Sequence, residues 1–363
     1  MNMINIAIAI LCIYAILSGL VHAKGFFMPI TVAALLSMLL APLSNKIERW
    51  KLNKAISSFI SVLLLLIASV IISFVFIIQV DNFSNNIPSM YNNLKPKIMQ
   101  LKGYIYDKTG ITYIEQEDKL ASMIEDRMKG IGSAAVIVLE NIRNFIEAML
   151  LTFVYTFFFL LYRHRFSGFI LRLVPEDQRE QAENTIFKSS KIAQQYLFGR
   201  IILILFLAII YYIGFSIVGI QHTLFLSGLV AVLSIVPYLG NLIGLVVALT
   251  VGFLTGLGLS QLLALIIIFS IVQFIESYLL EPYIVGQRVA LNAVMTILAI
   301  VLGGAVWGAV GVIIALPVVG IIKVICDQVP QLHAFGFLLG EEGDPAMDKL
   351  KALNKRLARW ILP

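Results

Sequence analysis

Residues 223–256 read TLFLSGLVAVLSIVPYLGNLIGLVVALTVGFLTG and contain no charged side chain. This apolar run is longer than the ~20 helical residues that cross a bilayer core about 30 Å thick. A proline and a glycine interrupt it near the middle, within Ile235–Asn241. Residues 291–325 have the same character, with a break expected at Ala315–Gly320. The two runs predict broken membrane helices, which are either kinked spans or re-entrant hairpins.

Further apolar stretches of about one span each precede, separate and follow these runs. They lie near residues 4–21, 26–43, 55–80, 147–162, 201–219 and 260–280. The composition agrees, because 60% hydrophobic and 13% charged residues are far from the soluble norm of about half apolar and a quarter charged. The predicted fold class is all-α: a polytopic membrane protein of about eight transmembrane spans, two of them broken or re-entrant in the C-terminal half.

Loop charges orient these spans, because short cytoplasmic loops carry extra Lys and Arg. Residues 44–54 and 163–200 have more basic than acidic side chains, whereas residues 81–146 have eight of each. The first two segments are therefore expected in the cytoplasm and the third outside. Both termini are then cytoplasmic.

Four regions follow from this assignment. They are residues 1–80 with spans one to three, an extracytoplasmic helical segment at 81–146, a transmembrane core at 147–325 and a cytoplasmic tail at 326–363. Apolar residues recur at helical spacing in the outer segment, which predicts a small extramembrane helical region. Its role is either that of a spacer or that of a gate for substrate.

The two broken runs also form a weak internal repeat. Gly228–Gly240 laid over Gly308–Gly320, an offset of 80 residues (308 minus 228), matches both glycines, two valines and the proline. Paired interrupted helices are typical of transporter binding sites, where unwound backbone offers free N–H and C=O groups. Two proline kinks between closely packed helices are the other interpretation. The first interpretation predicts one solute site near the membrane midplane, lined by Pro237, Gly240, Asn241, Pro317 and Gly320.

The stretch between the broken runs ends with QFIESYLLEP at residues 273–282. Gln273, Glu276 and Ser277 lie three and four residues apart and therefore share one helix face. In a membrane such a polar face is expected to look into the protein or a watery cavity. Glu276 is the sharpest candidate, since a carboxylate there can bind a proton or Na⁺; a carboxylate solvated at the membrane interface is the alternative.

Nearby polar residues extend the candidate pathway. Glu281 closes the same stretch, and Arg288 could pair with Glu276 or Glu281. Asn292 follows at the start of the second broken run. No cofactor, metal centre or enzymatic motif is expected, since Cys12 and Cys326 are isolated and the histidines are scattered.

Several stretches carry a resemblance to a known family. They are Leu40–Leu43 before Lys46–Arg49, Phe159–Pro175, Tyr196–Gly199, Ile235–Gly240, Glu276–Gly286 and Gly303–Pro317. Together these resemble the autoinducer-2 exporter family of multi-pass permeases. The resemblance implies an inner-membrane permease, homo-oligomeric and of the pentameric form, whose relatives export autoinducer-2 or are linked to Na⁺/H⁺ exchange. Two departures concern the substrate: Asn241 stands where the family usually has proline, and Asn292-Ala293 where it commonly has His-Pro.

The expected function is that of a secondary transporter, an exporter of a small polar molecule such as autoinducer-2, driven by a proton or sodium gradient. A cation/proton antiporter without organic substrate and a non-transporting membrane scaffold are the alternatives. The expected partners are a small molecule or cation, the lipid bilayer and further copies of the chain. Nucleic acid is not expected, because the basic residues form no patch interleaved with aromatics.

Overall fold

The computed structural model describes residues 3–109, 149–236, 239–285 and 291–340, and these are helical apart from short turns. The helices are α1 Met3–His22, α2 Lys24–Glu48, α3 Lys54–Thr109, α4 Met149–Leu161, α5 Arg163–Leu173, α6 Arg179–Val218, α7 Thr223–Leu233, α8 Leu239–Leu254, α9 Leu259–Ile275, α10 Ala293–Gln328 and α11 His333–Leu339. A π-helical segment, Glu276–Val285, continues α9.

Five helical stretches in the described part of the chain are long and apolar enough to cross a membrane: Lys24–Glu48, Lys54–Asn86, Glu176–Val218, Leu259–Glu281 and Ala293–Gln328. The shorter helices α4, α7 and α8 are also apolar. Exposing the apolar side chains of these helices to water would be unfavourable, so the bilayer is their solvent. The prediction of an all-α polytopic membrane protein is confirmed.

The chain divides into two compact units. Unit 1 comprises Met1–Leu65, Met149–Ile201 and Pro282–Pro363, and unit 2 comprises Leu66–Ala148 and Ile202–Glu281. The helix is not interrupted at residue 80, where the boundary between the N-terminal spans and the outer segment was predicted, because α3 continues to Thr109. Residues 110–146 of the predicted outer segment and 341–363 of the predicted tail lie outside the described residues.

The core of unit 1 joins α2, α6 and α10. Leu35, Ala193 and Ile314 are its buried centre. Partly buried apolar residues surround them: Val32, Met38, Leu197, Trp307, Val318 and Ile321. The part of α10 that follows Gly308 is thereby held inside the protein rather than in lipid.

The helix α10 is a hairpin of two arms. Trp307 and Gly308 leave the helical region, and Gly308 has a φ of 61°, which suits a residue without Cβ. A Cβ built on Gly303 would lie 2.5 Å from the carbonyl oxygen of Gly311, although eight residues along one straight helix span ~12 Å. The chain therefore reverses at Trp307–Gly308, and the two arms meet backbone to backbone at their glycines.

The short helix α11 closes the open end of this hairpin. Asn292, at the start of the first arm, donates its side-chain amide to the carbonyl of Leu338 at 2.7 Å. At the end of the second arm, the Asp327 carboxylate lies directly against Gly336, so a larger residue there would displace that carboxylate. Asp327 also pairs with the buried Lys323 at 2.7 Å. The seven-residue helix α11 reaches both arms only because they return to the same side.

The first broken run is a hairpin as well, but the turns of the two hairpins lie at different positions of the 80-residue sequence repeat. The helix α7 ends at Leu233 and α8 begins at Leu239, so the chain breaks within Ile235–Asn241 as predicted. In the second run the predicted break at Ala315–Gly320 is wrong, because Pro317 lies buried inside the second arm of α10 and the turn is at Gly308. The sequence repeat is therefore not a structural repeat in the same register. A proline inside a membrane helix is tolerated when neighbouring groups satisfy the freed carbonyl.

Candidate functional site

The first polar side chain after the α7–α8 turn is Asn241. The turn is tight there, since a Cβ on Gly240 would clash with the backbone carbonyl of Leu233. On the next turn of α8, a Cβ on Gly244 would lie 2.8 Å from a methyl group of Val230. The two helices thus approach closely, and Asn241 sits at the start of α8 with only 8% of its surface exposed.

The side chain of Asn241 connects three helices of unit 2. Its amide nitrogen donates to the side-chain oxygen of Gln273 at 2.5 Å and to the carboxylate of Glu276 at 2.5 Å. Its oxygen accepts the hydroxyl of Tyr211, on α6, at 3.4 Å. Gln273 in turn donates to the Ser277 hydroxyl at 2.9 Å. We call these five side chains the Asn241 network.

The network lies where α9 changes its hydrogen-bonding pattern. The α-helix ends at Ile275, and the π-helical segment begins with Glu276. Pro282 has no N–H to donate to a carbonyl one turn earlier, which disfavours a regular α-helix in this stretch. Single π-helical turns widen a helix and occur often at functional sites.

Burial makes the carboxylate costly. Glu276 is 5% exposed, and the fully buried Tyr211 packs against Phe215 and Phe269, whose ring centroids are 5.5 and 4.9 Å from its own. A charged group in such surroundings needs hydrogen bonds, a bound cation or a proton. The Asn241 network supplies hydrogen bonds, and its remaining oxygen atoms are ligands of the kind that proton and alkali-metal sites use.

The structure thus brings four predicted site residues together: Asn241, Gln273, Glu276 and Ser277. Gly240 supports them through the tight turn. Glu281 lies further along the π-helical segment and is partly exposed. Pro237 and Arg288 lie outside the described residues, so the predicted approach of Pro237 to Pro317 stays a prediction.

The other predicted residues belong to unit 1. Pro317 and Gly320 are buried in the second arm of α10. Asn292 caps the first arm: its side-chain oxygen accepts the Met295 N–H at 2.9 Å, and its amide nitrogen donates to α11. Each of these contacts has a structural role within the hairpin.

Sequence reasoning missed Tyr211 as a member of the site. The residue lies in the span predicted at 201–219, where a tyrosine among apolar residues gives no distinct signal. Its spacing of four residues from Phe215 does place both on one helix face. Only the tertiary contact with Asn241 reveals that its hydroxyl has a polar partner.

The sequence of this chain is similar to those of a family of transporters. The sequence profile of the AI-2E family transporter matches residues 4–331. The "Putative transport protein" YueF of Bacillus subtilis is 24% identical over 314 residues, which are 84% of this chain and 84% of YueF. The "AI-2 transport protein" TqsA of Escherichia coli is 19% identical over 346 residues, 94% of this chain and 97% of TqsA.

A second Bacillus subtilis relative, YrrI, is 25% identical over 315 residues, 83% of this chain and 86% of YrrI. The profile match spans the apolar helices, both hairpins and the Asn241 network, and the resemblance inferred from the sequence motifs is confirmed. With a profile match over nearly its whole length, this multi-pass membrane protein belongs to the AI-2E transporter family.

Proposed function

We propose that the protein is a secondary transporter of the bacterial inner membrane that exports a small polar molecule and draws its energy from a proton or sodium gradient through Glu276. The observation that carries the proposal is the Asn241 network: a buried carboxylate, held by a neutral amide, at a helix break beside the α7–α8 hairpin. Intramembrane carboxylates of this kind are expensive to keep and mark ion or solute pathways.

The network suggests how ion binding could move the hairpin. Asn241 lies at the start of α8, and its amide hydrogens bind Gln273 and Glu276 on the neighbouring helix. A proton or Na⁺ on Glu276 competes with Asn241 for the carboxylate oxygens. Ion binding therefore favours conformations in which α8 and α9 are less tightly joined. The ion then binds these conformations more tightly than the others, and coupled transport needs such a difference in affinity.

The solute is expected to be small and rich in hydroxyl groups, because amide, hydroxyl and carboxylate side chains recognise such groups by paired donors and acceptors. The name of the relative TqsA makes AI-2 the first solute to test. A cation/proton antiporter without organic substrate is the second candidate, favoured by the same carboxylate and its neutral oxygen neighbours.

The test is flux in proteoliposomes under imposed pH and Na⁺ gradients, with AI-2 and radioactive sodium as separate cargoes. Gradient-driven AI-2 movement supports the exporter, whereas sodium–proton exchange without AI-2 movement supports the antiporter. Absence of both fluxes would leave a non-transporting scaffold and contradict the proposal.

The variant Glu276→Gln keeps the shape of the side chain and removes its charge. It is expected to insert normally and to lose the response to the gradient. The matched control is Glu183→Gln, which makes the same chemical change on an exposed residue of α6 and should transport as the wild type does. Wild-type coupling in Glu276→Gln would exclude Glu276 as the coupling residue.

The orientation proposed from the loop charges needs its own test. We propose that residues 44–54 and 163–200 face the cytoplasm, since these two segments carry the basic excess, and that both termini lie on the same side because an even number of spans separates them. Single cysteines at Lys51 and Arg179 should react with an impermeant reagent only after lysis. Labelling of either in intact cells would reverse the assignment.

A further inference from the structure

The helix α5 has one apolar face that the described chain covers only at its start, where the centroid of the Phe159 ring lies 5.1 Å from that of Phe166. Its sequence is RHRFSGFILRL at residues 163–173, and none of its residues is buried. Phe166, Phe169, Ile170 and Leu173 follow the i, i+3, i+4, i+7 spacing of a single helix face. Between 45% and 68% of each of these side chains is exposed.

Basic residues flank this face, and acidic residues are absent from the helix. Arg165 and Arg172 are both exposed and lie seven residues apart, along one edge of the apolar face. The Arg165 guanidinium lies 5.6 Å from the centroid of the Tyr162 ring. Such a pattern, apolar residues edged by arginines with an aromatic ring beside them, is typical of helices at a membrane surface.

The start of α5 is held at the end of two apolar helices. Only Tyr162 separates α5 from α4, which ends at Leu161. Arg163, the first residue of α5, binds the Glu48 carboxylate at 2.6 Å and the Asn45 side-chain oxygen at 2.8 Å, both near the end of α2. These contacts fix α5 at the level where α2 and α4 leave the apolar layer.

We propose that α5 lies in the plane of the membrane interface and binds anionic phospholipids. Phe166, Phe169, Ile170 and Leu173 insert among the upper acyl chains, and Arg165 and Arg172 bind lipid phosphates. Eleven residues make a helix of only ~16 Å, too short to cross the bilayer. Each arginine at an anionic surface contributes about 1 kcal/mol, roughly a fivefold preference for the charged lipid.

The depth of α5 is testable on the full-length chain in nanodiscs. In a background of Cys12→Ser and Cys326→Ala, a spin label is attached after Phe169→Cys or, as the matched control on the opposite face, Gly168→Cys. A Cβ on Gly168 meets nothing within 4 Å. The label at position 169 should be accessible to oxygen and shielded from a water-soluble nickel complex, and the label at 168 should show the reverse.

The lipid preference is tested by comparing pure phosphatidylcholine nanodiscs with nanodiscs of equal parts phosphatidylcholine and phosphatidylglycerol. The label at 169 should lie deeper with phosphatidylglycerol, and Arg165→Gln with Arg172→Gln should abolish the difference. Equal nickel access at 168 and 169 would overturn the membrane placement. Shielding of position 169 from both oxygen and nickel would overturn it in favour of a protein cover, such as a second copy. An unchanged depth in the two lipids would overturn the anionic preference.

Discussion

The two hairpins reverse the chain in similar apolar sequence, but they differ in how they are fastened. The α10 hairpin is fixed at both ends: the Trp307 indole donates to the Leu20 carbonyl at 3.0 Å near its tip, and Asn292 binds α11 at its base. Leu20 lies in the last turn of α1, where carbonyls lack helical partners. The α7–α8 hairpin instead carries Asn241 and its bonds to Glu276. From this difference we infer a scaffold role for the first hairpin and, under the proposed function, a working role for the second.

The largest effect is expected from Gly311→Ala in the α10 hairpin. The added Cβ would clash with the backbone carbonyl of Gly303, which has no rotamer by which to move away. The cost should exceed the ~1–3 kcal/mol typical of overpacking against side chains. The yield of monodisperse protein and its thermal unfolding in detergent measure this loss.

The control for that prediction is Gly228→Ala in α7, where an added Cβ meets nothing within 4 Å. Alanine there should be neutral or slightly stabilising, because it is the better helix former. If Gly311→Ala unfolded at the wild-type temperature, the close contact of the two α10 arms would be refuted.

The next effect concerns the working hairpin and is expected from Asn241→Ala. The Glu276 carboxylate loses a donated hydrogen bond, and bonds to charged groups contribute about 1.5–3 kcal/mol. In a double-mutant cycle, Asn241→Ala is combined with Glu276→Gln. The two losses of unfolding free energy should not add, because both substitutions remove the same hydrogen bond between the Asn241 amide and the charged Glu276 carboxylate. Additive shifts in the free energy of unfolding would mean that Asn241 and Glu276 act independently.

A smaller effect is expected from Asn292→Ala at the base of the scaffold hairpin. The variant loses the cap on the Met295 N–H and the bond to Leu338. Loss of an N-cap costs about 0.5–2 kcal/mol. Limited proteolysis after α10 should become faster, as α11 loses its anchor. Impaired flux with unchanged proteolysis would instead return Asn292 to the solute pathway.

The sequence predicted the membrane helices well because hydropathy is a local property. It also placed Gln273, Glu276 and Ser277 on one face, since helical spacing decides that. It misplaced the turn of α10, because Gly303, Gly304, Gly308 and Gly311 look alike in the sequence and only Gly308 of these takes a positive φ. Tyr211 was missed because its partner Asn241 is distant in the chain.

The smallest effect concerns the pH dependence of stability and comes from His164, which lies at the start of α5, outside both hairpins. Burial lowers the pKa of His164, and the charges of Arg163 and Lys54 lower it further, whereas Glu48 raises it. The folded state therefore binds the proton more weakly than the unfolded chain does. The stability that His164 contributes is complete above the unfolded-state pKa near 6.5 and declines as the pH falls below it toward the folded-state pKa.

His164→Gln should flatten the decline in unfolding temperature between about pH 8 and about pH 5, the range that spans the ordinary pKa of histidine. The change should be slight, because the burial of the His164 side chain is only partial. Burial also lowers the pKa of His222, so part of the decline should remain in the variant. Lys54→Gln is the matched second variant, since it removes one of the two repelling charges and should flatten the decline less than His164→Gln does. A decline that both substitutions leave unchanged would show that the pH dependence of the unfolding temperature has another origin.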